Sequence, residues 1–249
     1  MQKFFPVLFP HDSAAIALQP STIAEVEGAL SQLGFHSPRP AIVVVGGARE
    51  LRNYHIARLH TLFAKVLVPL AEAIGAVVID GGTDTGVMRM MGVARQRAKA
   101  TFPLIGVLPE GVARLPNALP ACADAALLEP NHTHFILIPG SNWGDDSPWI
   151  AEIASLVSQG LPSITILING GEITWQDASE SVRVGRPVVA IAGSGRAADV
   201  LANALNGDIL DHRAVAIVES NLLQAIRLED SDRLTEVMKE VLLEKARVR

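Results

Sequence analysis

Five times along the chain a run of β-branched or aliphatic residues ends in a glycine-containing loop that opens into a helical pattern. These are Ala41-Ile-Val-Val-Val with Gly46-Gly47, Ala76-Val-Val-Ile-Asp80 with Gly81-Gly82, and His134-Phe-Ile-Leu-Ile138 with Gly140-Ser141. Pro162 to Ile168 with Gly170-Gly171, and Arg186 to Ala192 with Gly193-Ser194-Gly195, complete the set. Strands alternating with helices of this length predict a parallel sheet wound on both sides, since right-handed crossovers leave few other solutions. In such sheets ligands sit at the carboxyl ends of the strands, near the point where strand order reverses. The expected fold is a Rossmann-like, doubly wound α/β sheet of about six or seven strands in three αβα layers.

The stretch Asp80-Gly81-Gly82-Thr83-Asp84-Thr85-Gly86-Val87-Met88 has the grammar of an anion-binding strand, loop and helix. Glycines let a ligand approach the backbone, and the helix N-terminus behind them offers free N–H groups and positive dipole. It is neither a Walker loop, which needs a lysine, nor the Gly-x-Gly-x-x-Gly dinucleotide fingerprint. Five glycine loops on one rim would form a groove long enough for a nucleotide or dinucleotide.

Around these units, residues 1–20 read as an irregular arm. Ser21-Thr-Ile-Ala-Glu25 reads as a capping box for a helix with Val26, Leu30 and Leu33 on one face. Tyr54 to Ile74 has helical spacing that Pro69 interrupts, Phe102 to Pro109 reads as a strand, and Val215-Ala-Ile-Val218 as a seventh. The expectation is one domain over residues 1–249: arm and helix over 1–40, core over 41–218, and a helical tail over 219–249. The tail's apolar stripe, Leu234, Val237, Met238, Val241 and Leu242, suits packing on the body or pairing with another copy, and a homo-oligomer is expected.

Only 4% of residues are aromatic while 49% are hydrophobic, the composition of an aliphatic core between sheet and helices. A net charge of −5 gives no electrostatic reason to bind nucleic acid or an anionic membrane. Cys122 is the one cysteine, which rules out an internal disulfide and argues against a cysteine zinc site. The N-terminal apolar run is short and broken by Pro6 and Pro10, unlike a secretory signal, and no run is long enough to span a bilayer. The expected compartment is the cytoplasm.

Asp80-Gly-Gly-Thr-Asp-Thr-Gly-Val-Met88, Leu128-Glu-Pro-Asn-His-Thr-His-Phe-Ile-Leu-Ile138 and Gly193-Ser-Gly-Arg-Ala-Ala-Asp199, in this order, resemble the cytosolic N-terminal homology region of melastatin-class TRP channels. That region belongs to the SLOG superfamily, named for Smf/DprA and Lonely Guy proteins. Over roughly residues 40–205 the chain is similar to its free-standing prokaryotic relatives of the LSDAT type. The resemblance implies a Rossmann-like fold binding a nucleotide-derived ligand such as ADP-ribose or another NAD derivative; no further cofactor and no metal is expected. By motif, Gly81, Gly82, Thr83, Thr85 and Gly86 would cradle phosphate. Gly193, Ser194, Gly195, Arg196 and Asp199 would give a second set of contacts, with Asn131 and His132 nearby.

Lonely Guy enzymes are phosphoribohydrolases with the signature Pro-Gly-Gly-x-Gly-Thr-x-Glu-Glu. The corresponding stretch here is Asn169-Gly-Gly-Glu-Ile-Thr-Trp-Gln176-Asp177, with Ile173 in place of a glycine and Gln176-Asp177 in place of the paired glutamates. A glutamine cannot ionise, so it cannot stabilise an oxocarbenium-like centre as a carboxylate does. The favoured reading is a ligand-binding sensor. The competing one is a nucleotide phosphoribohydrolase or N-glycosidase with Arg89 and either Asp177 or Glu152 as its ionic pair. Arg196, behind Gly-Ser-Gly, is placed to grip a phosphate, with Asp199 orienting it or receiving a ribose hydroxyl. His132 and His134 alternate and would point the same way, a pair better suited to fixing a loop by hydrogen bonds than to holding a metal.

Overall fold

The computed structural model describes residues 3–10, 13–47 and 53–243. In chain order the elements begin with β1 (Lys3–Leu8), β2 (Ala14–Gln19), α1 (Ile23–Ala29), β3 (Ala41–Gly46) and α2 (Asn53–Leu62). A π-helical turn (Phe63–Leu67) leads into α3 (Val68–Ile74), β4 (Val77–Asp80), α4 (Gly86–Ala98) and β5 (Leu104–Pro109). The short pieces β6 (Ala113–Arg114) and β7 (Ala126–Leu127) precede β8 (His134–Ile138), α5 (Ser147–Ser158), β9 (Ser163–Ile168) and α6 (Glu172–Arg183). The chain ends with β10 (Val188–Ala192), α7 (Arg196–Leu205), α8 (Arg213–Glu219), β11 (Leu223–Arg227) and α9 (Ser231–Leu243).

Nine strands form one sheet in the order β1-β2-β8-β5-β4-β3-β9-β10-β11. Every pairing is parallel except β1 with β2. From β3 the chain first builds outward through β4 and β5 to β8, then returns to the other flank of β3 for β9, β10 and β11. The reversal in strand order therefore lies between β3 and β9. On one face Val43, Ile79, Ile105 and Ile136 pack with residues of α1, α5, α6, α7 and α8. On the other, Ile42, Val78, Leu104 and Ile166 pack with α2, the π turn, α3, α4 and α9. Both faces of the parallel strands are thus covered by apolar helix stripes, which is why those strands read as unbroken aliphatic runs.

Two expectations change. In place of an irregular arm, β1 and β2 pair antiparallel and extend the sheet beyond β8, Phe5 opposite Ala17 and Val7 opposite Ala15. Their alternation is hard to read because Pro6 interrupts β1 and small alanines fill the inward positions of β2. Proline fits there because β1 is an edge strand. Val215–Val218 is helical: Ala214 and Ile217 bury one face of α8, and Asp211 Oδ1 accepts the Arg213 N–H at its start. A four-residue apolar run carries no period that separates strand from helix. The edge strand beyond β10 is β11, so the core boundary drawn at 218 cuts off part of the sheet. The tail packs on the body, with Leu234, Val237, Met238 and Leu242 buried against the second face, and the tail beyond Leu243 lies outside the described residues.

Strand length shapes the carboxyl rim. β4 ends at Asp80, one residue past the Val43–Ile79 pair, while β3 continues to Gly46. On its other side Asp80 pairs with Gly106, and β5 continues to Pro109. The β4–α4 loop therefore turns away low in the sheet, and close packing sets its residues. A Cβ on Gly106 would stand 2.5 Å from Gly82 Cα and 2.9 Å from the Phe135 ring. Gly106→Ala should accordingly lose about 1–3 kcal/mol of stability from overpacking. Gly28→Ala, in α1 with open space around it, should gain about 0.5–1 kcal/mol. Urea denaturation of the two variants beside the parent measures both, and equal midpoints would overturn the packing argument.

Candidate functional site

Beneath the β4–α4 loop lies a buried ionic lock. His132 Nε2 donates to Asp80 Oδ1 at 2.9 Å and Nδ1 donates to Glu129 Oε2 at 2.8 Å, with all three side chains sealed from solvent. Two carboxylates can only accept here, so the imidazole carries both protons and is a cation with no lone pair left for a metal. Burial alone would push it down, but Asp80 and Glu129 outweigh that and hold it up at about 9. The ring stacks on Phe135, Asp80 Oδ1 also accepts the Gly82 N–H at 2.7 Å, and Glu129 Oε2 takes the Asn131 N–H at 2.9 Å. A Cβ at Gly92 of α4 would overlap the Glu129 carboxylate, so the helix backbone passes directly against the lock. The backbone joins in: Asp84 N–H donates to Leu127 O and Glu129 N–H to Gly82 O.

The second assembly surrounds the reversal between β3 and β9. Gly47 N–H donates to Ile168 O, and the following Asn169 locks the β9 and β10 loops together. Its N–H donates to Ser194 Oγ and its side-chain amide to Ser194 O, both at 2.7 Å, while its carbonyl receives Ala198 N–H. The Arg196 guanidinium lies over Gly171, with Nη2 3.1 Å from where a Cβ would stand. Gly171 is the N-cap of α6 and places no side chain on the helix's free N–H groups. Arg196 itself holds φ +53, a left-handed conformation unusual for a side-chain-bearing residue at a helix start.

Two acids stand where α6 meets the start of α5, Asp177 on α6 and Asp146 at the N-cap of α5. Ser147 Oγ donates to Asp177 Oδ1 at 2.6 Å, and Asp146 Oδ1 accepts Gly144 N–H at 3.0 Å. Burial pushes Asp177 up to about 7 against the Ser147 hydrogen bond, with Asp146 adding to the rise. Burial likewise pushes Asp146 up to about 6, against its own and Gly144's backbone N–H groups.

The residues expected from sequence divide into two groups. Gly46, Gly47, Gly170, Gly171, Ser194, Gly195 and Arg196 come together at the reversal, and Gly81, Thr85 and Gly86 remain at least partly exposed at the mouth of α4. Others are engaged within the protein. Thr83 is buried and bridges to Leu128, while Asn131 and His132 belong to the lock. The Gly82 N–H is taken by Asp80. The Ser141 N–H next to Gly140 goes to Asp145 Oδ2 at 3.1 Å, which closes that loop to an outside anion. Asp199 neither pairs with Arg196 nor stands free: its Oδ1 accepts the Gly193 N–H at 2.6 Å.

The expected ionic pair of Arg89 with Asp177 or Glu152 does not form. Arg89 pairs with Asp84 at 3.2 Å, and Glu152 pairs with Arg183 at 2.7 Å on the surface. His134 diverges from His132, with Nε2 donating to Leu33 O, because the chain turns between Glu129 and His132 before β8 begins. Glu129, Asn169 and Ser147 carry much of this geometry without having been singled out. Their partners lie across the fold or in a neighbouring turn, and no local spacing marks them.

A family model described as "SLOG in TRPM, prokaryote" matches residues 39–236. A transient receptor potential cation channel subfamily M member-like 2 from Nematostella vectensis is 26% identical over 238 residues, covering 80% of this chain and 15% of the channel. Subfamily M member 2 of Mus musculus is 28% identical over 205 residues, covering 68% of this chain and 13% of the channel. The chain thus spans only a small part of either channel's length. The X-ray structure of a structural-genomics target, TM1055, superposes with a TM-score of 0.53 over 81% of this chain and 99% of its own, at 17% identity, a likeness of fold.

The lock gives a pH signature. A group whose folded value is raised to about 9 from 6.5 contributes stability that is complete below pH 6.5 and disappears as pH rises through 9. Unfolding free energies measured between pH 6.5 and 9.5 should fall by about 3 kcal/mol at most in the parent. His132→Gln, less stable at the start, should lack that slope. A parallel decline in both would place the titration elsewhere.

Proposed function

The chain belongs to the family described as "SLOG in TRPM, prokaryote", and from that premise we propose that it binds a nucleotide-derived ligand, of the ADP-ribose or NAD-derived kind, as a sensor. The ligand lies across the reversal between β3 and β9, its phosphate over Gly171 between the α6 N-terminus and Arg196. The observation that carries this reading is the Arg196–Gly171 contact. Among the described residues no carboxylate pairs with Arg196, its strained backbone aims the guanidinium at an uncapped helix end, and that combination suits a phosphate.

The glycines add support. Gly46, Gly82 and Gly170 are crowded by Ile168, Gly106 and Thr174 respectively, so protein packing already explains them. Among the described residues, Gly47 and Gly81 have no neighbour nearer than 3.6 Å to an added Cβ and no left-handed φ, and Gly171 meets only the end of the Arg196 side chain. The space these three leave open is backbone surface that a ligand can approach.

Base release is the second reading, favoured by Asp177, whose value near neutrality suits acid–base work. Its burial and its bond to Ser147 hold it in the contact between α6 and the start of α5, which is why binding without turnover is preferred.

Purified protein is incubated with ADP-ribose, NAD, AMP and other nucleoside monophosphates and scored for thermal shift and for free base. A ligand at a hundred times its dissociation constant adds about 2.7 kcal/mol, roughly 5–10 °C in a chain of this size. Arg196→Ala and Gly81→Ala should each lose most of that shift while melting within about 2 °C of the parent without ligand. Arg196→Gly should melt higher than Arg196→Ala, by about 1 kcal/mol, because glycine relieves the left-handed strain. Released base that disappears in Asp177→Asn would establish the hydrolase, and normal binding by Arg196→Ala would remove the proposed phosphate position.

A further inference from the structure

On the face opposite α6, a cleft of about 280 Å3 opens between the π turn and α4, lined by His60, Ala64, Val93, Ala94, Arg97 and Ala98. Its origin is local. Pro69 has no N–H to donate to the carbonyl four residues back, and the preceding Val68 N–H reaches Phe63 O instead, widening the helix by one residue per turn. The widened turn packs on α4 through small residues on both sides, Ala64 from one and Ala94 and Ala98 from the other, and the missing side-chain volume is the cleft.

Its polar groups have one sign. His60 and Arg97 are exposed at the rim, and among the described residues no carboxylate lines the cleft and neither rim side chain makes an ion pair or side-chain hydrogen bond. The other cations of α4 are engaged, Arg89 with Asp84 and Arg95 with the Phe102 and Asn131 carbonyls. An arginine left without an anion beside an apolar floor, on a chain whose net charge is −5, is complementary to a ligand carrying both features.

We infer that this cleft is a binding site for a small organic anion, its apolar body against Ala64, Val93 and Ala98 and its acidic head between Arg97 and His60. The inference is independent of the proposed nucleotide crevice, which lies at the carboxyl rim of the sheet.

The probe is 8-anilinonaphthalene-1-sulfonate, an apolar ring system with one anionic head, titrated into the intact chain and followed by fluorescence, with octanoate as a competing carboxylate. The expected result is one saturable site that octanoate displaces and that AMP at high concentration does not. Arg97→Glu, which reverses the head-group charge, and Ala98→Leu, which fills the floor, should each weaken the probe at least tenfold without lowering the melting temperature. Lys99→Glu, one position along and outside the lining, should change it less than threefold. The inference is overturned if the parent binds no probe, if AMP displaces it, or if both cleft variants bind as the parent does.

Discussion

An imidazolium held between two buried carboxylates ties together segments more than fifty residues apart. Asp80 ends β4, Glu129 and His132 belong to the return segment before β8, and Gly92 of α4 presses against the Glu129 carboxylate. Removing the central cation would leave two carboxylates sealed from water, the arrangement in which a broken buried pair costs several kcal/mol. That cost makes the geometry of the β4–α4 loop a property of the core. The loop cannot rearrange to suit a ligand without unburying charge, so whatever approaches Gly81 and Thr85 meets a surface set in advance.

The strand pattern follows from the same economy of space. β4 stops short because the Gly82–Gly106 contact and the Phe135 ring leave no room for another strand residue with a side chain. The chain turns into α4 beneath the rim, and the segment from Leu127 to Glu129 covers the turn through backbone hydrogen bonds. The same glycine pair that reads as a ligand loop in the sequence is thus half packing and half opening. Gly82 serves the core and Gly81 faces outward.

The central strands β3, β4, β5, β8, β9 and β10 were legible because burial on both faces turns each into an aliphatic run, followed in all but β5 by a glycine loop. The hairpin of β1 and β2 was not, because alanines on a half-covered edge strand carry little hydrophobic contrast and Pro6 breaks the run. α8 failed for the opposite reason, its apolar content compressed into four consecutive residues. At the site, backbone loops were legible as glycines, whereas pairings were not. Ser147 with Asp177 and His132 with Asp80 are contacts between elements, and a single sequence has no term for distance across a fold. Arg89 and Glu152 show the complementary error: Arg89 pairs with the nearby Asp84 and Glu152 with Arg183 of the adjacent α6, so the pair expected of them does not form.

The loops also differ in a way that composition hides. Aspartates fill backbone donors in three of them: Asp80 takes Gly82 after β4, Asp145 and Asp146 take Ser141, Asn142 and Gly144 after β8, and Asp199 takes Gly193 after β10. After β8 and β10 the carboxylate occupies the position an external anion would need, and a second negative charge beside it would be repelled; after β4, Asp80 is turned into the core and paired with the His132 cation. The loop after β9 carries neutral Asn169 instead, and the acid in the first turn of α6, Glu172, is drawn aside by Arg213. The N-cap of α4, Thr85, likewise makes no capping bond. The two helix mouths left open follow β4 and β9, the two strands that flank β3, and they lie on opposite faces of the sheet. An anionic ligand that satisfies both must cross the end of β3 at Gly46 and Gly47, two residues that carry no side chain. An extended ligand with negative charge at two separated points, as in the nucleotide derivative proposed above, is the kind that can meet both mouths at once, whereas a simple inorganic anion can meet only one.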